Sequence, residues 1–313
     1  MMFRRSSFCA DGNLVLRFQR AYFEHMKKSK LNPKNWFKRG PYVSVIRLYG
    51  AIGVGGRFSE TISHAPFEKA IDEAFASKRT KAVALIINSP GGSPSQSGLI
   101  ARQIRRLADE KKLPVLAFCE DVAASGGYLL ACAADEIFVD EYTVIGSIGV
   151  ISASFGAVEA IEKIGVERRV HTAGKSKSLM DPFREEKPED VERLDTILQA
   201  IHERFIAWVK GSRGERLDPE RDYFQGDIWV GQGAVDLGIA DGVGHLAPII
   251  KERFGDDVKL REVGRKKPGL LSRLLGGGKG SLTSNTAESI GAGAAVAAVD
   301  TVEERALWAR YGI

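Results

Sequence analysis

The chain has 313 residues, of which 44% are hydrophobic and 27% charged, enough for one large or two modest soluble domains with a sizeable core. Its net charge of +5 is uneven: residues 1–40 hold ten Lys/Arg against two Asp/Glu, a balance of +8 that leaves −3 for the rest, so nucleic acid is excluded as the expected substrate. No window offers the eighteen or so uninterrupted apolar residues of a membrane span, and no apolar h-region with a cleavage site follows the start, so the expected location is cytoplasmic or peripherally membrane-associated.

Cys9, Cys119 and Cys132 form an odd set without metal-ligand spacing, which points to a reducing compartment and to no metal site. Residues 1–40 mix basic side chains with Phe18, Tyr22, Phe23, Trp36 and Phe37. No helical stripe emerges there, so a solvated tail is expected ahead of an amphipathic segment in peripheral contact with an anionic membrane.

Residues 42–48 alternate and are rich in β-branched side chains, the pattern of a strand that opens the folded body. The glycine-rich turn 50–56 lacks both the Gly-Lys-Ser/Thr ending and the dinucleotide spacing, so it is read as a turn. Phe67, Ala70, Ile71, Ala74 and Phe75 fall at helical spacing over residues 65–76.

The run 82–87 is continuously apolar, as in a strand buried on both faces of a parallel sheet. A loop at 88–92 follows, then a helix capped by Ser95 or Ser97, with Leu99, Ile100, Ile104 and Leu107 inward and Arg102, Arg105 and Arg106 toward water. Another strand at 114–119 completes a right-handed crossover unit. Loops after the carboxyl ends of such strands are where ligands bind.

Ser125 follows that last strand and precedes an Ala/Leu-rich helix. A side chain on this corner stands clear of its neighbours, and the unpartnered amides of the first helical turn favour a developing oxyanion. The competing reading is a plain N-cap, the usual role of a serine before a helix. Gly91-Gly92 and Ser125 follow neighbouring strands, so one amide from each could grip a single carbonyl oxygen.

Further on, 136–140 reads as a strand, 145–150 as a tight strand or bend, 157–164 as a helix and 169–172 as a strand. An irregular loop with two lysines occupies 173–183. The longest helix spans 188–210, with Pro188 in its first turn and Gly211 as terminator. Its stripe of Val191, Leu194, Leu198, Ile201, Phe205 and Trp208 is core or subunit interface. Residues 225–243 close the domain, and beyond about 260 a basic, glycine-rich linker with Leu270, Leu271, Leu274 and Leu275 begins. The expected divisions are a segment at 1–40, a domain at 41–255 and a tail at 256–313.

A serine hydroxyl needs a proton acceptor. Of His25, His64, His171, His202 and His245, none sits in a familiar context, and His171 is the first suspect for a triad. The lysines of the 173–183 loop are the other source. A lysine in dry surroundings, which Leu179, Met180 and Phe183 could supply, favours its neutral form and accepts a proton.

Four motifs now stand in order: Asn88-Ser-Pro-Gly-Gly92, Ala124-Ser-Gly-Gly-Tyr128, Gly146-Ser-Ile-Gly-Val150 and Lys177-Ser-Leu-Met-Asp-Pro182. Together they resemble the signal peptide peptidase A family of serine proteases, peptidase family S49, over about residues 42–250. The resemblance implies an α/β fold of the ClpP/crotonase type, built from stacked ββα units. It implies Ser125 as nucleophile and Lys177 as general base, three residues before Met180 and five before Pro182, a spacing that Lys175 does not meet. Ser147 would hydrogen-bond the lysine, and the amides of Gly92 and Gly126 would form the oxyanion hole.

Short, single-repeat members of that family act as homo-oligomeric rings in which a neighbouring protomer supplies the lysine. The expected activity is hydrolysis of short or unfolded apolar peptides through an acyl-enzyme, without a cofactor. A crotonase-type enzyme acting on an acyl-thioester and a non-catalytic oligomeric scaffold are the alternatives.

Overall fold

Three apolar runs form the centre of one parallel sheet, and their residues alternate between two cores. In the computed structural model β1 (Tyr42–Tyr49), β2 (Thr80–Ser89) and β3 (Val115–Ala124) lie side by side. Successive strand residues point to opposite faces. Hence Ile46, Leu48, Val83, Leu85, Ile87, Val115 and Ala117 enter one apolar cluster, while Val43, Val45, Ala82, Ala84, Ile86, Leu116 and Phe118 enter the other. Both faces are dry, which is why these runs are continuously apolar.

The structure describes residues 40–53, 61–174, 177–264 and 305–312. The basic segment before residue 40, the turn residues 54–60, Lys175 with Ser176, and the linker containing Leu270 to Leu275 lie outside them. The chain divides into two units, Met1–Pro41 and Tyr42–Ile313, and the sheet belongs to the second.

Between and after the central strands come α1 (His64–Phe75), α2 (Pro94–Lys111), α3 (Gly126–Ala131), β4 (Glu136–Val139), β5 (Val144–Gly146), α4 (Val158–Lys163) and α5 (Pro188–Arg213). Then follow β6 (Ile228–Val230), α6 (Gly231–Asp236), β7 (Gly242–Val243), α7 (Leu246–Phe254) and β8 (Lys259–Glu262). Helices α1, α2 and α3 cover the first face through Phe67, Ile71, Ile100, Ile104, Tyr128 and Leu130. Helix α7 covers the second with Ile250. Strand β8 lies past the boundary read at residue 255 and pairs with β1.

The sheet divides along β3. Its first half, Leu116 to Cys119, pairs with β4, and its last residues, Val122 to Ala124, pair with β5. One strand thus serves two neighbours, and the second brings Gly146 beside Ala124. All pairings are parallel except that of β5 with β6.

Three local expectations are corrected. Helix α2 is capped by Ser93, whose Oγ accepts from the Gln96 amide at 3.4 Å, because Pro94 takes the first helical position; Ser97 is buried one turn inside, its Oγ donating to the Ser93 carbonyl at 2.9 Å. Residues 169–172 form no strand, since they are largely exposed and no strand among the described residues pairs with them. Helix α5 runs past Gly211 to Arg213 and ends at Gly214, φ 55°.

That extension has a cause. The Arg213 side chain is fully buried, where it donates to both oxygens of Asp241, at 2.8 and 3.0 Å, and to the Gly238 carbonyl at 2.8 Å. An interior glycine costs a helix only about 1 kcal/mol, less than the separation of a buried ion pair. Higher on α5, the Trp208 indole donates to the Leu129 carbonyl at 3.0 Å, and the Tyr128 hydroxyl donates to the Ile239 carbonyl at 2.9 Å. Helix α3 is therefore held from both sides.

Burial alone would raise the Asp241 carboxyl, but hydrogen bonds from Arg213 and the Ile137 amide, with the charges of Arg213 and Arg216, hold it below the ordinary aspartate range. Stability from this pair is present above about pH 4, the unfolded value, and is lost as pH falls through the lower folded value. Asp241→Asn should cost about 3–5 kcal/mol at neutral pH by leaving the Arg213 charge uncompensated. Urea denaturation at pH 7 and at acid pH checks this: the gap between wild type and variant should narrow as the pH falls.

Candidate active site

Ser125 is the single residue between the end of β3 and the start of α3. Its backbone holds φ 52° and ψ −117°, a conformation that L side chains rarely adopt and that stores on the order of 1–3 kcal/mol. The Ser125 amide donates to the Gly146 carbonyl at 2.8 Å, and its carbonyl accepts from the Leu129 amide at 3.0 Å. Its side chain makes no capping hydrogen bond. The hydroxyl is therefore not used as a helix cap, and it opens onto a cavity.

The Gly91-Gly92 turn is pressed against this corner. A Cβ on Gly91 would lie 2.8 Å from the Ser125 Cβ, and one on Gly92, φ 135°, would lie 2.2 Å from the Ile52 carbonyl oxygen. Ile52 holds the turn by donating to the Gly91 carbonyl at 2.8 Å and accepting from the Ser93 amide at 2.7 Å. A Cβ on Gly126 would meet the Ser97 Oγ at 2.5 Å. At Gly91 and Gly92, where φ is positive and backbone atoms close in, only glycine fits. Gly92, Gly126 and Ser125 line the same cavity, and among the described residues neither glycine amide donates a hydrogen bond.

Asn88 fixes how the two loops meet. Its side-chain amide donates to Asp121 at 2.6 Å and its oxygen accepts from the Val122 amide at 3.3 Å, at the point where the β2–β3 register shifts. Such an irregularity re-aims the end of a strand.

Ser147 follows β5 with φ 51°, its amide donating to the Asp227 carbonyl at 2.7 Å, and it lines the cavity with Ser125. Lys177 does not. It is exposed, its amide donates to the Gly174 carbonyl at 3.3 Å, and its side chain has no hydrogen-bond or ion-pair partner among the described residues. One chain thus gathers Ser125, Ser147, Gly92 and Gly126 and leaves Lys177 outside.

No described histidine bonds Ser125. His64 Nε2 meets the Gln103 side chain at 2.9 Å, His202 Nε2 the Ile148 carbonyl at 3.3 Å, and His245 lies 3.6 Å from Asp140. His171 is exposed. The described thiols are poor nucleophiles, because burial pushes Cys119 well up and Cys132 up to about 12.

The family model for peptidase family S49 matches residues 107–257. A protein of Enterococcus faecium whose name refers it to signal peptide peptidase SppA is 30% identical over 75% of this chain and 69% of its own length. The chain belongs to peptidase family S49. The chloroplastic serine protease SPPA of Arabidopsis thaliana is 36% identical over 66% of this chain and 30% of its own length. The protein named Na(+)/H(+) antiporter NhaA in Brucella melitensis biotype 1 is 45% identical over 91% of this chain but matched over only 39% of its own length. The antiporter name therefore describes a protein most of which lies outside the match. Among the described residues no helix is long and apolar enough to cross a membrane.

The strand-then-helix succession of β1 to α3 is the α/β architecture that the sequence predicts. The cavity beside Ser125 measures about 1230 Å³ and is lined largely by apolar side chains, among them Leu129, Ile201, Phe205 and Trp208. Arg102 also borders it, with Arg204, and is exposed to water as the periodicity of α2 predicts. Leu307 and Tyr311, from the described C-terminal residues, complete the wall.

The strain at Ser125 is measurable. Ser125→Gly should raise stability by about 1 kcal/mol, because glycine adopts this backbone freely, whereas Ser125→Ala should not. Thermal melts of the three proteins decide it: a loss of about 1 kcal/mol in the glycine variant, the usual cost of that residue, would show the corner to be unstrained.

Proposed function

We propose that this chain is a serine endopeptidase whose nucleophile is Ser125 and whose general base is Lys177 of a neighbouring copy, acting on short or unfolded apolar peptides. The observation that carries this reading is the corner itself: a strained serine with an uncommitted hydroxyl, beside two glycine amides that donate to nothing. Donors already in place around an oxyanion position supply the largest single term in acyl transfer.

Placing the base on a second copy accounts for the segment that carries it. Helix α4 has no buried residue, and of α5 only Phe205, Val209 and Arg213 are buried. Phe155 is 92% exposed and Ile164 72%, with Ile151, Val166, Phe183, Val191 and Ile197 also open. Apolar side chains so numerous on one excursion call for a partner surface, and a ring of identical chains provides it. Lys177 would then enter the neighbour's cleft beside Ser147.

In the reaction, the neutral Lys177 amine takes the Ser125 proton as Oγ attacks the peptide carbonyl, and the Gly92 and Gly126 amides hold the oxyanion. The resulting ammonium gives that proton to the leaving amine. Water, deprotonated by the same amine, then attacks the acyl carbonyl, and the ammonium returns that proton to the departing Ser125 oxygen, which frees serine and neutral lysine. The cleft also separates this reading from thioester chemistry: none of its described lining residues is Asp or Glu, the acid or base a crotonase-type reaction would place there.

Lys177→Ala should lower hydrolysis of a fluorogenic apolar peptide by on the order of 10²–10⁴-fold, while Lys175→Ala largely spares it. The wild-type rate should climb with pH as the amine loses its proton. The reverse pair of mutant results would move the role to Lys175, and a rate flat from acid to alkaline pH would remove the amine base.

A further inference from the structure

The cleft is apolar, yet its charge is all of one sign. Arg102 on α2, Arg204 on α5 and Arg310 near the C-terminus line it, and its described lining includes no acidic residue. On the same two helices Arg105 pairs with Asp109 at 2.9 Å and Asp135 at 2.7 Å, Arg106 with Glu110 at 2.8 Å, and Arg213 with Asp241. Among the described residues, Arg102 and Arg204 have no carboxylate partner. Both are exposed to solvent where they border the apolar recess, and two unpaired cations there have more to gain from an anion than from each other.

Their position bears on the scissile bond. The Arg102 guanidinium packs over Gly98, where an added Cβ would lie 2.9 Å from Nη1. Gly98 adjoins Ser97, whose Oγ abuts Gly126. Arg204 precedes Phe205 on α5, and both line the cavity. We infer that Arg102 and Arg204 are specificity residues that read a carboxylate on the bound peptide, so that the preferred substrate is apolar with one anionic group, either an acidic side chain or its own C-terminus.

This rests on the peptidase reading, and a binding experiment separates the two. The probe is an Ala/Leu hexapeptide with a neutral dye on its N-terminus, made as the free acid, as the C-terminal amide, and as the amide with one internal Glu. Anisotropy is measured on full-length Ser125→Ala in its native assembly, which binds without turnover. At least one carboxylate peptide should bind about tenfold more tightly than the plain amide, as expected for charge-assisted hydrogen bonds, and added salt should shrink the gap.

Adding Arg102→Gln and Arg204→Gln should bring the ratio close to one, and the lysine pair at the same positions should restore most of it. Preference for the free acid alone assigns the arginines to the peptide's C-terminus, and preference for internal Glu alone to a side-chain subsite. Equal binding of all three peptides, or a preference that survives the glutamine pair, overturns the inference. A wild-type protein that retains the preference but hydrolyses none of the peptides would instead overturn the peptidase reading and leave this one standing.

Discussion

Ser125 keeps its strained backbone because both sides of it are fixed. The amide is tied to the Gly146 carbonyl of β5, and α3, which begins one residue later, is tied through Tyr128 to Ile239 and through Leu129 to Trp208. Neither the strand nor the helix can rotate to relieve the corner. Strain of this kind persists only where the surroundings over-determine it, and here they aim one hydroxyl into a cleft.

The same constraint accounts for the division of β3. If its far end paired with β4 throughout, Gly146 would have no place beside Ala124 and Ser147 would lie elsewhere. Handing the last residues to β5 sets a second serine at the mouth of the cleft and starts the long excursion that carries Lys177. Arg213 and Asp241 then anchor the far end of α5, so the excursion leaves the domain and returns to it at two rigid points. Between them α4 buries no residue, and Phe155, Ile164, Ile151 and Val166 stay exposed, the surface that the proposed second copy would cover.

Much of this was readable from the chain. Buried parallel strands announce themselves as unbroken apolar runs, and the loops after β2 and β3 carried the glycines and the serine where the geometry needs them. What stayed hidden depends on contacts across long separations. Gly211 looks like a helix end because the residue that carries α5 past it, Arg213, finds its partner 28 positions away. Residues 169–172 have the composition of a strand and no strand to pair with. Arg102 has the solvent exposure that its spacing predicts, but the cavity it also borders is built with residues about a hundred positions away, such as Ile201 and Phe205, which the pattern of α2 alone does not show.

The reading of Ser125 and Lys177 as one site shared between two chains is tested most directly by mixing inactive proteins. Ser125→Ala and Lys177→Ala are each expected to be inert. Dissociated, mixed and reassembled, they should regain peptide hydrolysis, because a Lys177→Ala subunit keeps its serine and receives the lysine of a Ser125→Ala neighbour. A mixed assembly that forms yet stays as inert as its parents would contradict a base supplied from the neighbouring copy.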